Sequence, residues 1–545
     1  MTPRSRRAFL SASATAVGAL ALTTLPRPLL ATVGSRPEPV PPIDDPRLKG
    51  LALRGVESAR AAGASYADVR LTHTRVRNIL SSDIQDTESM SVGVRALVNG
   101  YWGFASGPVW SPDELARLGR EAVHQAKANA LGPSRVVELA PVAAVPDQHW
   151  TMPVAQDPFA ISPFQMQDYL NGVEAHFARR PGVVVGLAAY FVVQDKAFAS
   201  SAGSYCTQRL YQTNGFCQIN VISPRDGQRL QGGVDCLSFA GLGWELFTAP
   251  RLPQVREHTL QEEIEREIDA MLADHRLPIK PVDVGRYDVV FSPRSVAELV
   301  FSTFGPATQL DRALGYEANA SGTSYLNKPL EMLGTYQAGA PALTLTADRS
   351  TPGAVGTVRW DDEGVAPDAF PIVKDGALVD FQTTRESAGW LKEYYAKTGK
   401  PFRSHGCACA PQGVDAPLLH TPNLVLAPGP AARDFDDLVA DLSDGIAVKA
   451  LVLEMDFQNV TGLALGRGVY EVKKGKRVAM LPNAGLLFRS PELWKGLVAL
   501  GGAASARRYG RSDNKGEPVQ SANHSITAPP AAFKQLTLID PLRKA

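Results

Sequence analysis

The densest set of potential metal ligands in this 545-residue sequence is the run His405-Gly406-Cys407-Ala408-Cys409. Zinc and copper accept imidazole and thiolate ligands together, so this spacing is typical of a soft-metal site. On a β-strand, however, the His and both Cys lie on one face, which suits a packed core equally well. The run leaves two hypotheses open: a metal site with His405, Cys407 and Cys409 as ligands, or a buried strand.

Three consecutive acidic residues, Asp361-Asp362-Glu363, precede Gly364 and form a second candidate site. Carboxylates bind hard cations, but the same run also fits an acidic turn between two strands. The sequence has no glycine-rich phosphate loop with a Lys partner, no Gly-x-Ser-x-Gly motif and no two His four residues apart. The residues alone therefore give no complete catalytic set.

The segment Tyr287–Phe304 has the clearest local pattern. Tyr287–Phe291 is a β-rich apolar run, after which Ser292 can cap a helix and Pro293 can occupy its first position. Apolar side chains then recur at helical spacing and predict one buried face: Val296, Leu299, Val300, Phe304 and Ala307. Pro306 is expected to break or kink the helix. Taken alone, this is a core helix.

The N-terminus predicts export. Ser5-Arg6-Arg7-Ala8-Phe9-Leu10 is followed by an uncharged apolar run from Ser11 to Leu25, with Ala31 as a suitable cleavage residue. Two adjacent Arg before Phe-Leu are similar to a twin-arginine signal. The run is too short and too rich in Ala and Thr for a stable membrane span. We expect a periplasmic or secreted protein, with a signal peptide at residues 1–31.

Length and composition predict two domains in an α+β fold. We expect a linker at residues 32–46, an N-terminal α/β domain at 47–252, a connecting helix and hinge at 253–284, and a mainly antiparallel β domain at 285–545. The formal net charge of +1 gives no reason to expect a nucleic-acid partner. Cys206, Cys217 and Cys236 leave open whether one disulfide forms.

Local patterns predict several further elements. Asn99-Gly100 between two β-rich runs predicts a hairpin, and Ser111-Pro112 with Glu114 predicts a helix start. Separate strands are predicted at 66–71 and 76–82. Helices are predicted from Pro253 to Leu277 and from Ser490 to Leu500.

Several segments resemble the TldD/PmbA family of metalloproteases, also known as gyrase-modulator proteins. The resemblance runs from about residue 47 to the end of the chain. Its segments stand in the family's order: Gly63-Ala64-Ser65-Tyr66-Ala67-Asp68-Val69-Arg70, then Gly93-Val94-Arg95 with Gly100-Tyr101-Trp102-Gly103-Phe104-Ala105, then Asp361-Asp362-Glu363-Gly364, then Thr421-Pro422-Asn423 with Pro428-Gly429, and finally Lys515-Gly516-Glu517-Pro518-Val519.

Active members of this family resemble one another in a His-Glu-x-x-x-His helix, followed by a Glu and an Asp. The two His and a Cys near the C-terminus hold zinc. The resemblance sets this motif on the run Phe301-Ser302-Thr303-Phe304-Gly305-Pro306, with the two His at Phe301 and Pro306 and the Glu at Ser302. The spacer Gly305 and Asp311 match the motif, Gln309 replaces the later Glu, and the Cys position falls near Asp513. Phe and Pro offer zinc no lone pair, and Ser cannot replace a carboxylate base.

The resemblance implies a zinc-less, non-catalytic subunit of a peptide-degrading or peptide-processing complex. The expected partner is a homologous zinc-bearing subunit or a second copy of the chain, and the expected substrate is a peptide. Zinc is expected only in the partner. Two alternatives remain: an active metallopeptidase with relocated ligands at His405, Cys407 and Cys409, and a free-standing periplasmic peptide-binding protein.

Overall fold

Long β-strands dominate the N-terminal half of the chain. A computed structural model describes residues 40–131 and 136–542. The signal peptide predicted at residues 1–31 lies outside the described residues, and so does the predicted linker as far as residue 39. The N-terminal strands are β1 Tyr66–Leu80, β2 Ile84–Val98, β3 Tyr101–Gly107, β4 Gln148–Thr151, β5 Val183–Ser200, β6 Tyr205–Ile222 and β7 Arg229–Gly232. The helices of this half are α1 Pro46–Ala61, α2 Pro112–Asn129, α3 Pro163–Ala178, α4 Glu245–Thr248 and α5 Leu260–Asp274.

These strands form one sheet in the order β3-β2-β1-β5-β6-β4, with β7 paired to β6. All neighbours are antiparallel except β4 and β6, which run parallel. The helices cover one face, where Val69 and Leu71 of β1 lie in the core beneath α1 and α2. The other face carries buried polar side chains such as Asp68 and Arg70, which lie toward the C-terminal half.

The C-terminal half has many shorter strands: β8 Gly285–Phe291, β9 Leu345–Ala347, β10 Phe370–Lys374, β11 Ala377–Leu378, β12 Ala408–Cys409, β13 Leu418–Leu419, β14 Leu424–Leu426, β15 Asp444–Met455, β16 Thr461–Lys473, β17 Lys476–Met480, β18 Gly485–Arg489, β19 Leu497–Leu500, β20 Arg507–Lys515, β21 Gln520–Ala528 and β22 Ala531–Ile539. Its helices are α6 Pro293–Phe304, α7 Leu310–Ala313, α8 Pro329–Met332, α9 Arg385–Gly389, α10 Lys392–Thr398, α11 Phe435–Ala440 and α12 Ser490–Lys495.

Two sheets organise this half, and β12 pairs only with β13. One sheet has the order β11-β10-β9-β14-β21-β20. In the other, β15 pairs with both β8 and β16, so that β15-β8-β22-β18-β16 closes into a ring. Helix α6 contacts β14, β20 and β21 of the first sheet and β8 and β15 of the second. The observed architecture confirms the predicted two-part α+β fold with a mainly antiparallel C-terminal part.

Several local predictions are confirmed. The Asn99-Gly100 turn joins β2 to β3 with φ angles of 51° and 83°. The Ser111 hydroxyl caps α2 by accepting from the backbone N–H of Glu114. The strands predicted at 66–71 and 76–82 are instead one strand, because β1 pairs without interruption with both β2 and β5.

Two helix predictions need correction. The helix predicted from Pro253 to Leu277 begins only at Leu260, where Thr259 and Glu262 form a capping box. The helix predicted from Ser490 to Leu500 ends at Lys495, and Leu497–Leu500 is strand β19, paired with β22. In the second case long-range pairing outweighs the local helical pattern. Among the described residues, no helix has the length and apolar character needed to cross a membrane.

Candidate functional site at the end of helix α6

Helix α6 begins and ends where its sequence predicts. Ser292 caps it by accepting a hydrogen bond from the backbone N–H of Ser295 at 3.3 Å, and Pro293 is its first residue. The helix ends at Phe304, and Pro306 opens a short 3₁₀ turn. Its buried side chains belong to the main C-terminal core. The helix end is therefore held firmly, as a site for chemistry requires.

The resemblance places two zinc ligands and the base at Phe301, Pro306 and Ser302. The ring of Phe301 stacks on His524 with centroids 5.2 Å apart, and the Arg511 guanidinium lies 4.8 Å from the Phe301 centroid. Ser302 is 8% exposed, and its carbonyl accepts from Asn459 Nδ2 at 3.1 Å. Pro306 offers no donor atom for a metal.

A buried polar network occupies the space beyond the helix end. Asp513 Oδ2 accepts from Gln309 Nε2 at 2.8 Å and from the backbone N–H of Thr421 at 2.9 Å. The ring nitrogen His420 Nδ1 lies 3.5 Å from the same oxygen. Burial alone would raise the pKa of Asp513, but the close approach and positive charge of His420 and the backbone hydrogen bond from Thr421 hold it below its ordinary value.

Lys515 extends this network. Its Nζ donates to Gln309 Oε1 at 2.9 Å and to both oxygens of Asp311 at 2.8 and 2.7 Å. The Lys515 side chain is 1% exposed and that of Asp311 16% exposed. Lys515 thereby joins helix α7, which carries Asp311, to strand β20.

Two buried histidines flank Asp513. None of the ring nitrogens of His420 and His524 has a hydrogen-bond partner among the described residues. Burial lowers the pKa of His524 to about 4, so this ring is neutral at neutral pH. Only His420 lies within 4 Å of the Asp513 carboxylate.

The residues present at the motif do not fit a zinc ion held in the family's manner. Phe301 and Pro306 lack lone pairs, and Ser302 lacks the carboxylate that acts as base. Asp513, near which the resemblance places the third ligand, already accepts hydrogen bonds from Gln309 and Thr421. Among residues 40–131 and 136–542, no group of three or more His, Cys, Asp or Glu side chains is arranged to hold a metal ion.

His405, Cys407 and Cys409 are held by other partners. The His405 ring stacks on Phe370 with centroids 3.7 Å apart, and its Nδ1 lies 3.0 Å from Asp368 Oδ1. Burial raises the pKa of Cys407 to about 12 and that of Cys409 to about 11, so both are protonated thiols at neutral pH. The structure does not bring these three side chains together as a metal-holding group.

The acidic run Asp361-Asp362-Glu363 joins the two halves of the chain. Lys196 of β5 donates to Asp362 Oδ2 at 2.8 Å, and Arg95 of β2 donates to Glu363 Oε1 at 3.1 Å. Asp361 accepts from the backbone N–H groups of Glu363, Val365 and Ala408. Burial and the neighbouring charge of Glu363 raise the pKa of Asp361. All three carboxylates thus have donors within the protein, and the run acts as a structural joint.

The sequence left open whether one disulfide forms among Cys206, Cys217 and Cys236, and in the structure all three are free thiols. Cys206, Cys217 and Cys236 are all buried. Burial raises the pKa of each of them to about 12. These thiols therefore serve as core residues.

Sequence reasoning found Asp513 but missed His420, Lys515 and His524 as members of this network. The sequence held a signal for Lys515. Asp513 and Lys515 are two residues apart on β20, so their side chains lie on the same face of the sheet. His420 and His524 stand alone in the sequence, and only the pairing of β20 with β21 brings His524 beside Arg511.

Comparison with known proteins agrees with this architecture. Residues 65–126 match the family model described as PmbA/TldA metallopeptidase domain 1, and residues 284–540 match the PmbA/TldA metallopeptidase C-terminal domain. A metalloprotease of Methanocaldococcus jannaschii is 22% identical over 445 residues, covering 80% of this chain and 89% of that protein. A metalloprotease of Methanothermobacter thermautotrophicus is 25% identical over 390 residues, covering 70% of this chain and 76% of the relative.

Solved structures share the fold. A protein of Thermotoga maritima, described as a candidate modulator of a DNA gyrase, superposes with a TM-score of 0.66 at 15% identity and covers 90% of this chain and 100% of its own. TldE from Thermococcus kodakarensis superposes with a TM-score of 0.64 at 15% identity, covering 90% of this chain and 99% of its own. Fold and matched domains together place the chain among proteins built from the PmbA/TldA metallopeptidase domains. The chain belongs to the PmbA/TldD family.

Proposed function

We propose that this chain is a zinc-less, non-catalytic subunit of a peptide-degrading or peptide-processing complex. The observation that carries the proposal is that Phe301, Ser302 and Pro306, where the resemblance places the motif, include no His and no carboxylate, within a chain that keeps the family fold. A zinc peptidase needs the metal to activate water near neutral pH and a base to take its proton. This chain offers residues for neither task at these positions.

The network around Asp513 supports the same proposal. Where a metal would cross-link helix and sheet, Lys515 joins Asp311 and Gln309 by hydrogen bonds shorter than 3 Å. Gln309 joins Asp513 at 2.8 Å. A buried ion pair with satisfied hydrogen bonds can hold such a region together without a metal. Removal of one partner of the pair lowers the stability of the fold strongly. The fold can therefore persist after the loss of catalytic residues.

The proposed partner is a homologous subunit that carries the intact His-Glu-x-x-x-His motif; self-association is the other assembly that we consider. The paired Arg6-Arg7 and the apolar run after them support twin-arginine export of the chain to the periplasm or beyond. That route suits a complex folded before transport. Peptide binding in the complex would place substrate near the catalytic subunit.

Native co-isolation tests this function. The full chain carries a C-terminal affinity tag, is expressed in its own host and is recovered from the exported fraction under native conditions. We expect a second chain with an intact His-Glu-x-x-x-His motif to co-elute in a fixed ratio. As matched control, Arg6→Lys with Arg7→Lys should retain the chain inside the cytoplasm. Recovery of the exported chain as a monomer without such a partner would contradict the subunit proposal and favour a free-standing binding protein.

A further inference from the structure

A cavity of about 430 Å³ lies between strand β6 of the N-terminal sheet and strand β20, beside the first turn of α6. Its volume is within the range of small-ligand sites. The polar side chains of its lining are Asn214, Ser238, Arg294, Arg511 and Ser512. The lining includes no Asp or Glu. The cavity therefore presents donors and positive charge to any molecule that enters it.

Two arginines of this lining share one buried carboxylate. Arg511 Nη1 donates to Glu298 Oε1 at 3.0 Å, and Arg294 Nη2 lies 3.3 Å from the same oxygen. Glu298 is 5% exposed. Arg294 also faces Asp235 at 3.9 Å, but the Asp235 side chain is 55% exposed and strongly solvated. A guanidinium has five N–H donors, so most of the donor capacity at this site is not used by Glu298.

Arg511 is held in place by neighbours on two sides. Its guanidinium lies 4.8 Å from the Phe301 centroid, while Nη1 is fixed by Glu298. Its buried Nε has no acceptor among the described residues. A planar guanidinium fixed in this way is preorganised for bidentate contact with a carboxylate. The same Phe301 stands at the first position of the lost metal motif.

We propose that this cavity binds a carboxylate group of a peptide, with Arg511 and Arg294 as the charged donors and Ser238 or Ser512 as hydroxyl donors. The proposal rests on the proposed peptide-binding function and adds the chemical group that is recognised. The carboxylate comes either from the peptide C-terminus or from an acidic side chain. Peptides that carry only one of these two carboxylates separate the two sources.

Isothermal titration calorimetry on the full mature chain tests the proposal. The probes are acetylated tetra-alanine with a free C-terminal carboxylate, its C-terminal amide, and an amidated peptide of the same length with one Glu. We expect the free acid, the Glu peptide or both to bind at least about tenfold tighter than the neutral amide, because a hydrogen bond from a guanidinium to a charged carboxylate is stronger than one to a neutral amide. The peptide that binds tighter identifies the source of the carboxylate.

Variants assign the effect to the arginines. Arg511→Gln should weaken the preference for the carboxylate, with Arg294 left as the charged donor, and Glu298→Gln should strengthen binding severalfold by releasing both guanidinium groups. Arg511→Gln combined with Glu298→Gln leaves no unpaired buried carboxylate, so it reports on binding even when the single variant folds poorly. Arg507→Gln is the matched control on the same strand, because Arg507 donates to the carbonyls of Ala504 and Ala506.

The outcomes distinguish this inference from the proposed function. Equal binding of acid and amide peptides, or a carboxylate preference that is as strong in the Arg511→Gln and Glu298→Gln double variant as in Glu298→Gln alone, overturns the cavity assignment and leaves peptide binding intact. Absence of binding by every probe overturns both the assignment and peptide binding by this chain. The partner proposal is then still decided by co-isolation.

Discussion

Replacing Lys515 with Met should lower the free energy of unfolding by about 3–5 kcal/mol, the usual cost of removing one partner from a buried ion pair. The variant leaves the carboxylate of Asp311, 16% exposed in its side chain, without its ammonium partner. It also removes the donor to Gln309 Oε1. Chemical denaturation of the mature chain measures the change, provided that the transition is two-state.

Two companion variants make this test specific. Lys473→Met removes an ion pair to Asp444 whose side chains are 51% and 67% exposed, so it should leave stability nearly unchanged. Lys515→Met combined with Asp311→Leu removes both charges and should recover a large part of the lost stability. A Lys515→Met variant as stable as wild type would show that the network does not hold the helix end.

Replacing Lys196 with Met should also cost about 3–5 kcal/mol, because it strips Asp362 of its charged partner. The Lys196 ammonium lies 2.7 Å from Asp362 Oδ1, and both side chains are 9% exposed. Lys196 also donates to the carbonyl of Ala410 at 2.9 Å. These contacts join the N-terminal sheet to the C-terminal half. We therefore expect faster hydrogen exchange at the backbone N–H groups of Ala408 and Ala410, which donate to Asp361 and Asp362.

The control for this joint is Lys49→Met. Lys49 pairs with Asp147 at 2.7 Å, with side chains 39% and 52% exposed, and its loss should change hydrogen exchange only nearby. Unchanged protection of Ala408 and Ala410 in Lys196→Met would contradict the role of the acidic run as a structural joint.

Much of the fold could be predicted because its signals are local. Ser292 and Pro293 fix the start of α6, and Asn99-Gly100 fixes the turn between β2 and β3. Strand β19 could not be predicted in this way. Its residues Leu497–Leu500 continue a helical pattern, and only pairing with β22 makes them a strand.

The contacts around the end of α6 could not be predicted from the sequence. The resemblance predicts altered zinc-site positions at Phe301, Ser302, Pro306 and near Asp513, and this stays a prediction. It gave no indication that Lys515 would join Asp311, or that His524 would stack on Phe301. These contacts join residues about two hundred positions apart in sequence. Local residue spacing does not predict contacts over such distances.

Metal content measured together with peptidase activity tests the central claim most directly. The full mature chain is purified natively without chelator, dialysed against metal-free buffer, and analysed by inductively coupled plasma mass spectrometry. We predict no stoichiometric zinc and no peptidase activity from the chain alone, with activity appearing only when a chain bearing His-Glu-x-x-x-His is added. One retained zinc ion per chain with peptidase activity would contradict this account, and its loss in a Cys407→Ala, Cys409→Ala variant would establish relocated ligands instead.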